Sequence, residues 1–436
     1  MLWREKKVLL VGFGRSGQAS ARFLLSRGAK LLVNDISEPS SELRQTFASP
    51  QLTWEIGHHD AEKLIHDDLA ALVLSPGVDP RLPLVIEAQE NNIPVFGDLE
   101  LALQEITSPV VAITGTNGKS TVTSLIGHLL QTAGKKVCVA GNIGLPLLDV
   151  LSEAQNSEFV VLELSSFQLE QTPSLNVKVA VWLNATEDHL DRYENFAAYV
   201  DAKAQIFRQL SPDGVAIYNA DDAEVVRAVL QLHLSQDTMT FSLQSPQKLV
   251  LQDLPLVGLH NQQNMMASLL AVQACGVHDE TVLLQGLQTF QNLKHRLELV
   301  AEKNGVRYYD DSKGTNVGAT VGALSGFKEP VILIAGGKDK GGSYLPLVQA
   351  AQKNVKTVVL LGEAAPLLEE AFAGKVATAR AASMSHAVQL ASQLAQPGDV
   401  VLLSPACSSF DMFRNYAERG EVFRQAVANL VQHEGA

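Results

Sequence analysis

The sequence predicts an α/β protein of three domains, and three observations support this. Two glycine-rich loops, at residues 12–17 and 115–118, each follow a short apolar strand and precede a helix. Apolar strands alternate with helical segments along the whole chain, which is typical of βαβ units. At roughly 100 to 200 residues per domain, the 436 residues suffice for two to four such units. We place the domains at residues 1–96, 97–292 and 293–436.

The composition excludes several classes of protein. A net charge of -13 argues against general binding to nucleic acids or anionic membranes. Cys138, Cys275 and Cys407 are far apart and show no metal-ligand spacing, so we expect reduced thiols in a cytoplasmic protein. We also expect no signal peptide, because the N-terminus runs directly into a strand, and no run is apolar enough to span a bilayer.

The first glycine-rich loop forms a Rossmann fingerprint. Strand Lys7–Val11 leads into Gly-Phe-Gly-Arg-Ser-Gly at residues 12–17, and a second strand ends at Asp35. The pattern predicts a phosphate at the helix N-terminus and a ribose or base near Asp35, so binding of NAD or FAD is one interpretation. A third strand, 71–74, ends in a Ser75–Gly77 turn on the same edge. The first domain is therefore predicted to be Rossmann-like.

The second loop predicts a P-loop ATPase-type central domain. An apolar strand ending at Thr114 meets Gly-Thr-Asn-Gly-Lys-Ser-Thr and then a helix over 122–131. Backbone N–H groups of such a loop cradle phosphates, a lysine reaches the outer phosphates and a hydroxyl binds magnesium. Only two residues separate the two glycines, fewer than in the standard motif, and an ordinary strand-to-helix turn is the alternative. The predicted ATP-binding residues here are Gly115, Thr116, Asn117, Gly118, Lys119, Ser120 and Thr121.

Three further strands of the central segment end in polar residues, at 141–144, 163–168 and 184–191. Because the carboxyl ends of parallel strands share one edge of the sheet, we expect one active site there. Glu163 is predicted to hold magnesium, alone or with Ser120, and His189 is a further candidate ligand. The alternatives are a helix-capping carboxylate at Glu163 and a solvated acidic turn at His189.

A lysine interrupts an apolar helical stripe. Phe196, Val200, Lys203 and Phe207 are spaced by four, three and four residues in a helix predicted over 195–210. Burial of an ammonium is costly and lowers its pKa, which favours a neutral amine. A lysine whose ammonium reaches solvent is the alternative.

The string Thr-Gly-Thr-Asn-Gly-Lys-Ser-Thr at 114–121 resembles the nucleotide loop of the Mur ligase family, ATP-dependent enzymes that build the peptide stem of bacterial cell wall. Further motifs of this family follow in order, so that the resemblance covers nearly the whole chain. They are Asn-Ala-Asp-Asp at 219–222, His-Asn-x-x-Asn at 260–264, His-Arg at 295–296, Asp-Asp-Ser-Lys-x-Thr-Asn at 310–316, Gly-Gly-Lys at 336–338 and Ser-Pro-Ala-Cys-x-Ser-x-Asp-x-Phe at 404–413. The element at 260–264 precedes a helix predicted over 265–274.

The resemblance implies roles for residues of the first two domains. The N-terminal domain would hold the uridine diphosphate of the substrate rather than a dinucleotide. Residues implied around the UDP-substrate are Arg15, Ser16, Asp35, Ser75, Gly77, Asn142, Ser165 and His189. Lys203 would be carbamylated to N6-carboxylysine, and its new carboxylate would join Ser120, Glu163 and His189 at Mg²⁺. Lys119, Glu163, His189 and Lys203 are the implied catalytic residues.

The last domain is predicted to be a further Rossmann-like α/β unit, and its motifs resemble those of D-glutamate-adding members. The resemblance implies ATP contacts by Asn264, Arg296, Asp311 and Lys313. It implies D-glutamate contacts by Thr315, Lys340, Ser409 and Tyr416. Lys338 is an alternative to Lys340, although the family's spacing favours Lys340. Tyr416 replaces an aromatic that is often Phe.

The implied reaction adds D-glutamate to UDP-N-acetylmuramoyl-L-alanine through an acyl phosphate, with ATP and Mg²⁺ and with His189 or a nearby carboxylate accepting the amine proton. We expect a monomer with small-molecule substrates. The L-alanine-adding relative is the nearest alternative, whereas the Asp-Asn-Pro-Arg signature of the diaminopimelate- or lysine-adding relative is absent from the sequence. A folate polyglutamate ligase would begin directly with the P-loop domain. A nicotinamide oxidoreductase would leave the P-loop unused, and a non-catalytic nucleotide-binding regulator would not need the clustered carboxylates and histidine.

Overall fold

The computed structural model describes residues 3–190, 192–244 and 258–430, and it confirms the prediction of three α/β domains. Asp191, the last residue of the polar turn predicted after the third central strand, lies outside the described residues. Within those ranges, no helix combines the length and apolarity needed to cross a membrane.

The N-terminal domain is a five-stranded parallel sheet in the order β3-β2-β1-β4-β5. Its strands are β1 (Lys7–Val11), β2 (Lys30–Asp35), β3 (Leu52–Ile56), β4 (Leu69–Leu74) and β5 (Val95–Gly97). Its helices are α1 (Arg15–Ser26), α2 (Ser41–Thr46), α3 (Ala61–Leu64), α4 (Pro83–Glu90) and α5 (Asp98–Leu103). Strand order reverses between β1 and β4, so the glycine-rich loop and the Ser75 turn lie side by side at the switch point.

The central domain is a six-stranded parallel sheet in the order β11-β10-β9-β6-β8-β7. Its strands are β6 (Val110–Thr114), β7 (Val137–Gly141), β8 (Phe159–Glu163), β9 (Val177–Trp182), β10 (Leu210–Asn219) and β11 (Asp237–Phe241). Its helices are α6 (Lys119–Thr132), α7 (Leu151–Gln155, after a 3₁₀ turn), α8 (Ser166–Glu170), α9 (Phe196–Arg208), α10 (Ala223–Leu232), α11 (Leu259–Ala274) and α12 (Glu280–Thr289).

Alternation along β6 explains why this strand is apolar throughout. Val111 and Ile113 pack under α6, α11 and α12, whereas Val110 and Ala112 pack with residues of α7, α8, α9 and α10 on the opposite face. The central strand is therefore buried on both faces. Its carboxyl end lies between those of β8 and β9, which places the phosphate loop at the switch point of this sheet.

The C-terminal domain is a six-stranded sheet in the order β12-β13-β17-β14-β15-β16, in which only the β12–β13 pair is antiparallel among the described strands. Its strands are β12 (Glu298–Lys303), β13 (Val306–Asp310), β14 (Val331–Gly336), β15 (Val355–Leu361), β16 (Ala377–Arg380) and β17 (Val400–Leu403). Its helices are α13 (Val317–Leu324), α14 (Leu345–Ala351), α15 (Ala365–Phe372), α16 (Met384–Leu394) and α17 (Tyr416–Ala428).

One predicted helix boundary is wrong. The helix predicted to begin at Met265 begins at Leu259, directly after Gly258 with φ of 101°. Asn261 and Asn264 are therefore buried within the first two turns of α11 instead of preceding it. The polar first turn obscured the helix, because it faces the phosphate loop rather than an apolar core.

Side chains of the central domain connect it to both neighbours. Arg192 donates to the backbone carbonyls of Pro76 (3.3 Å) and Val78 (2.9 Å) in the N-terminal domain. Arg22 and Asp149 form an ion pair of 2.8 Å across the same boundary. On the other side, Asn316 reaches the phosphate loop, as described below. The three ligand edges thus face one another.

Candidate active site

A cavity of about 560 Å³ lies where the three domains meet. The phosphate loop forms its floor, and side chains from the N-terminal and C-terminal domains form its walls. Of the predicted site residues it brings together Arg15, Thr116, Asn117, Gly118, Lys119, Ser120, Thr121, Asn142, Glu163, His189, Asn264, Arg296, Asp311, Lys313, Thr315, Lys340 and Tyr416.

The phosphate loop is fixed by two asparagines outside it. Asn184, after β9, accepts from the backbone N–H of Asn117 (2.8 Å) and donates to its carbonyl (3.0 Å). Asn264 packs against Gly118, where a Cβ would lie 2.5 Å from its Oδ1. Gly118 also has φ of 85°, a conformation that favours glycine. The loop is therefore held in its turn by a strand end on one side and a helix on the other.

Two lysines converge on one carbonyl. Lys119 Nζ donates to the carbonyls of Gly115 (2.8 Å) and Thr116 (3.0 Å), and Lys203 Nζ donates to Gly115 (3.0 Å). Lys203 is only 1% exposed, and no carboxylate pairs with it among the described residues. Burial and the neighbouring Lys119 hold the pKa of Lys203 well below its usual range. The lysine predicted from the helical stripe is thus buried, in surroundings that disfavour its charged form.

Glu163 carries an unsatisfied carboxylate oxygen at the end of β8. Its Oε1 accepts from Asn142 Nδ2 (3.1 Å), whereas its buried Oε2 has no hydrogen-bond partner in the part of the chain that the structure describes. An orphaned buried carboxylate oxygen is costly unless a cation or donor joins it. The buried hydroxyl of Ser120 lines the same cavity. This donor set of hard oxygen ligands fits Mg²⁺.

His189 lies in a strained turn next to Asp188. Its φ is 55°, and its ring makes an edge contact with Phe167 at 5.0 Å between centroids. Burial lowers the pKa of His189 to about 4, although the carboxylate of Asp188 opposes this shift. The imidazole is therefore neutral at pH 7 and has a nitrogen lone pair available toward the cavity.

The C-terminal domain contributes a cluster of cations. Arg296 Nε is buried, and no described residue hydrogen-bonds to it. Burial lowers the pKa of Lys313 to about 8, and repulsion by Arg296 adds to this shift. Lys313 Nζ lies 4.7 Å from the centroid of the Tyr416 ring. Burial raises the pKa of Asp311 to about 7, against a hydrogen bond from Ser404 of 2.7 Å. These groups face the phosphate loop across the cavity.

Lys338 and Lys340 have different environments. Lys340 lines the cavity and pairs with Asp188 at 3.2 Å. Lys338 is exposed, and its backbone forms an isolated bridge with Ser408. Lys340 therefore points toward the central domain, whereas Lys338 does not line the cavity.

The remaining predicted residues lie outside the cavity lining. Asp35 accepts from the backbone N–H of Phe13 (2.6 Å), and Ser75 Oγ donates to the carbonyl of Gly12 (2.8 Å), so both brace the N-terminal glycine loop. Ser16 hydrogen-bonds to the buried Asp98. Gly77 is exposed in the turn after β4, Ser165 caps α8, and Ser409 is buried in the loop after β17. Arg15 alone of the predicted N-terminal residues reaches the cavity, where it donates to the Gly144 carbonyl (3.0 Å).

Sequence reasoning missed several residues that shape the site. Asn184 was read only as part of a polar strand end, and Asn316 only as part of a motif. Asn316 Nδ2 donates to Asn117 Oδ1 (3.1 Å) and to Asp188 Oδ2 (3.1 Å), which joins the C-terminal domain to the phosphate loop. His295 pairs with Asp310 at 2.7 Å beside Arg296. An Asn directly after a strand or before a helix was the only signal for the first two.

Comparison with known families matches three domain models in order. The model for a "Mur ligase MurD-like, N-terminal domain" matches residues 6–97, the "Mur ligase middle domain" matches 113–272, and the "Mur ligase, glutamate ligase domain" matches 295–407. Together they cover most of the chain. The chain belongs to the Mur ligase family. Members of this family are ATP-dependent ligases.

Curated Mur ligases are similar to this chain over its full length. The UDP-N-acetylmuramoylalanine--D-glutamate ligase of Syntrophotalea carbinolica is 42% identical over 445 residues, which cover 98% of both chains. The protein of the same name from Geotalea daltonii is 41% identical over 447 residues, again with 98% of each chain covered. The resemblance given by the loop motif is therefore confirmed at the level of the family.

Solved Mur ligase structures share the fold. A pseudomurein peptide ligase type C from Methanothermus fervidus gives a TM-score of 0.63 at 18% identity, covering 98% of this chain and 100% of that one. The MurF ligase from Thermotoga maritima, solved in complex with ADP, gives a TM-score of 0.63 at 16% identity, with 98% and 96% covered. At such identities the comparison bears on the fold alone.

Replacing Lys203 by Met is expected to stabilise the protein in nucleotide-free, bicarbonate-free buffer. Methionine has similar volume and removes a buried amine that lacks a counter-charge, while Lys119 still bonds to Gly115. We expect the free energy of unfolding to rise by about 1 to 3 kcal/mol. Chemical denaturation followed by circular dichroism measures it.

The matched control is Lys136→Met, at an exposed lysine, which should change the free energy by less than about 0.5 kcal/mol. A loss of stability in Lys203→Met would show that the amine stabilises the fold through its hydrogen bond. Burial of the Lys203 amine would then not be a loss of stability that is retained for function.

Proposed function

We propose that the protein is an ATP-dependent amide ligase that adds D-glutamate to UDP-N-acetylmuramoyl-L-alanine in cytoplasmic peptidoglycan precursor synthesis. The observation that carries this proposal is the identity of 41 to 42%, over 98% of the chain, with proteins named for that reaction. The geometry supports it, because one cavity is lined by a phosphate loop, a buried unpaired carboxylate oxygen and several cations.

ATP would lie along the phosphate loop. Its phosphates would accept from the backbone of residues 115–118 and from the N-terminus of α6, and Lys119 would exchange its carbonyl contacts for phosphate oxygens. Arg296 and Lys313 would approach from the C-terminal domain. We propose Asn264 for the adenine and Asp311 for orientation of Arg296. Each cation then gains phosphate oxygens as ionic partners, in addition to the carboxylates near it in the free protein.

Ser120, Glu163 and His189 would hold Mg²⁺, together with Lys203 as a carbamate. The donor set fits, because Glu163 Oε2 has no hydrogen-bond partner among the described residues. Burial lowers the pKa of Lys203, which favours the neutral amine that reacts with carbon dioxide. A carbamate would add an anion next to Lys119, close to the Gly115 carbonyl to which both lysine amines donate. When bound, Mg²⁺ neutralises charge on the transferring phosphoryl group.

D-glutamate would bind between the central and C-terminal domains. We propose that Lys340 pairs with one of its carboxylates, and that Thr315, Ser409 and Tyr416 supply hydroxyl or backbone donors. Lys340 is favoured over Lys338 because Lys340 alone of the two lines the cavity. The UDP moiety would lie on the glycine loop of the N-terminal domain, with Arg15 toward the reacting end.

The reaction would proceed in two transfers. A carboxylate oxygen of the alanyl group attacks the γ-phosphorus of ATP, the bond to the bridging oxygen breaks, and ADP leaves. The neutral amine of D-glutamate then attacks the acyl phosphate carbon, and the tetrahedral intermediate expels phosphate to leave the amide. Lys119 stabilises the charge that develops on the phosphoryl oxygens. Our candidate acceptor of the amine proton is a carboxylate near His189, or His189 itself while its acceptor nitrogen is not bound to Mg²⁺.

One chain carries every part of this site, since residues of all three domains line the same cavity. We therefore propose that the monomer is active. The partners required by the reaction are small molecules only.

Phosphate release from ATP tests the function directly. With Mg²⁺ and UDP-N-acetylmuramoyl-L-alanine present, we expect release that depends on D-glutamate and not on L-alanine, L-lysine or L-glutamate. Release with another amino acid alone would reassign the family member. In the same assay, a near-normal rate for His189→Ala would remove His189 as the proton acceptor.

A carbon NMR experiment tests the modification. Protein incubated with ¹³C-bicarbonate should show a carbamate carbonyl resonance that is absent from Lys203→Met, because no other described lysine is as buried. A carbamate signal of equal intensity in both proteins would come from another amine. Such a signal, or no signal in either protein, would show that Lys203 is unmodified.

A further inference from the structure

The ion pair between Asp188 and Lys340 crosses the entrance between the central and C-terminal domains. Asp188 follows β9 in the central domain, and Lys340 lies in the loop after β14. Their Oδ1 and Nζ atoms are 3.2 Å apart. Both side chains line the active-site cavity. They also line a second cavity of about 470 Å³ behind it, so the pair forms part of the wall that separates the two.

Resting on the proposed function, we propose that Asp188 is a positioning residue that occupies Lys340 in place of the substrate carboxylate. Binding of D-glutamate would then exchange one carboxylate for another on the same ammonium. Among the described residues, Asp188 is the acidic group that forms an ion pair with Lys340. An amino acid that enters the cavity therefore meets a lysine that is already paired.

The other contacts of Asp188 keep its carboxylate hydrogen-bonded during such an exchange. Its Oδ1 also accepts from the backbone N–H of His189 (3.0 Å), and its Oδ2 accepts from Asn316 Nδ2 (3.1 Å). When Lys340 turns to the ligand, Asp188 keeps two donors and Lys340 keeps one carboxylate. Both oxygens of Asp188 therefore stay hydrogen-bonded and Lys340 keeps an ionic partner, so neither group is left without a polar contact.

The exchange has a consequence for selectivity. A ligand can release Lys340 from Asp188 only if it brings a carboxylate to the same ammonium, so an amino acid whose carboxylates do not reach Lys340 leaves the pair closed. Part of the binding free energy of D-glutamate is used to displace Asp188. The pair therefore lowers the affinity for D-glutamate while it discriminates against amino acids that cannot place a carboxylate at Lys340.

Removing the competing charge should tighten binding of D-glutamate. In Asp188→Asn the side chain keeps its shape but no longer pairs ionically with Lys340. We expect the KM for D-glutamate to fall by about threefold to tenfold, with the KM for ATP unchanged. A change in kcat does not bear on this comparison, because the exchange acts on binding. Asp188→Ser serves as a second variant should the first fail to fold.

The matched control is Glu187→Gln, which removes the same charge at the adjacent, exposed position. It should leave the KM for D-glutamate within about twofold, because a solvent-exposed charge is screened. An equal fall in both variants would reduce the effect to general electrostatics and overturn the proposal.

A double-mutant cycle isolates the exchange. Lys340→Met should raise the KM for D-glutamate. The double variant Lys340→Met/Asp188→Asn should have the same KM as Lys340→Met, because the charge of Asp188 no longer competes for an ammonium. A KM that rises or stays constant in Asp188→Asn, in a protein whose wild type depends on D-glutamate, would overturn this inference alone. A wild type without D-glutamate-dependent phosphate release would instead contradict the proposed function.

Discussion

The carbonyl oxygen of Gly115 is the point on which the site depends. It accepts from both Lys119 and Lys203, and so it gathers two amines at the base of a loop whose backbone N–H groups also favour anions. Burial makes this arrangement unfavourable for charged lysines in the free protein. The same surplus of donors would become favourable with phosphate oxygens and the proposed metal-bound carbamate in the cavity. The free protein thus contains buried amines that the proposed anionic ligands would neutralise.

The three sheets are arranged to bring such groups together. Each places its loops at the carboxyl ends of parallel strands, where backbone groups and polar side chains are not needed by the sheet itself. The phosphate loop comes from the switch point of the central sheet, the cations from the C-terminal sheet, and Arg15 from the N-terminal one. Asn316 and the Asp188–Lys340 pair then tie the C-terminal domain to the loop. A change in the C-terminal domain at these residues therefore acts directly on the phosphate loop.

The sequence predicted the parts of the site that have a local signature. A glycine-rich turn after an apolar strand and a lysine in a helical stripe can be read from spacing, and the structure places Lys119, Glu163 and Lys203 accordingly. The sequence could not predict the roles of Asn184 and Asn316, because their partners lie 67 and 199 residues away. The helical start of α11 is hidden for the same reason. The asparagines of its first turns face the phosphate loop, an arrangement that only the tertiary fold creates.

Thermal unfolding with nucleotide and metal tests the central claim most directly. Five samples suffice: the protein without ligand, with Mg²⁺ alone, with ADP alone, with both together, and with NAD. If unpaired cations and the Glu163 oxygen await ligands, ADP with Mg²⁺ should stabilise the protein by more than the sum of the separate effects. At 100 times its Kd a ligand adds about 2.7 kcal/mol. Stabilisation by NAD, with none from ADP and Mg²⁺ together, would contradict the account and assign the first glycine loop to a dinucleotide.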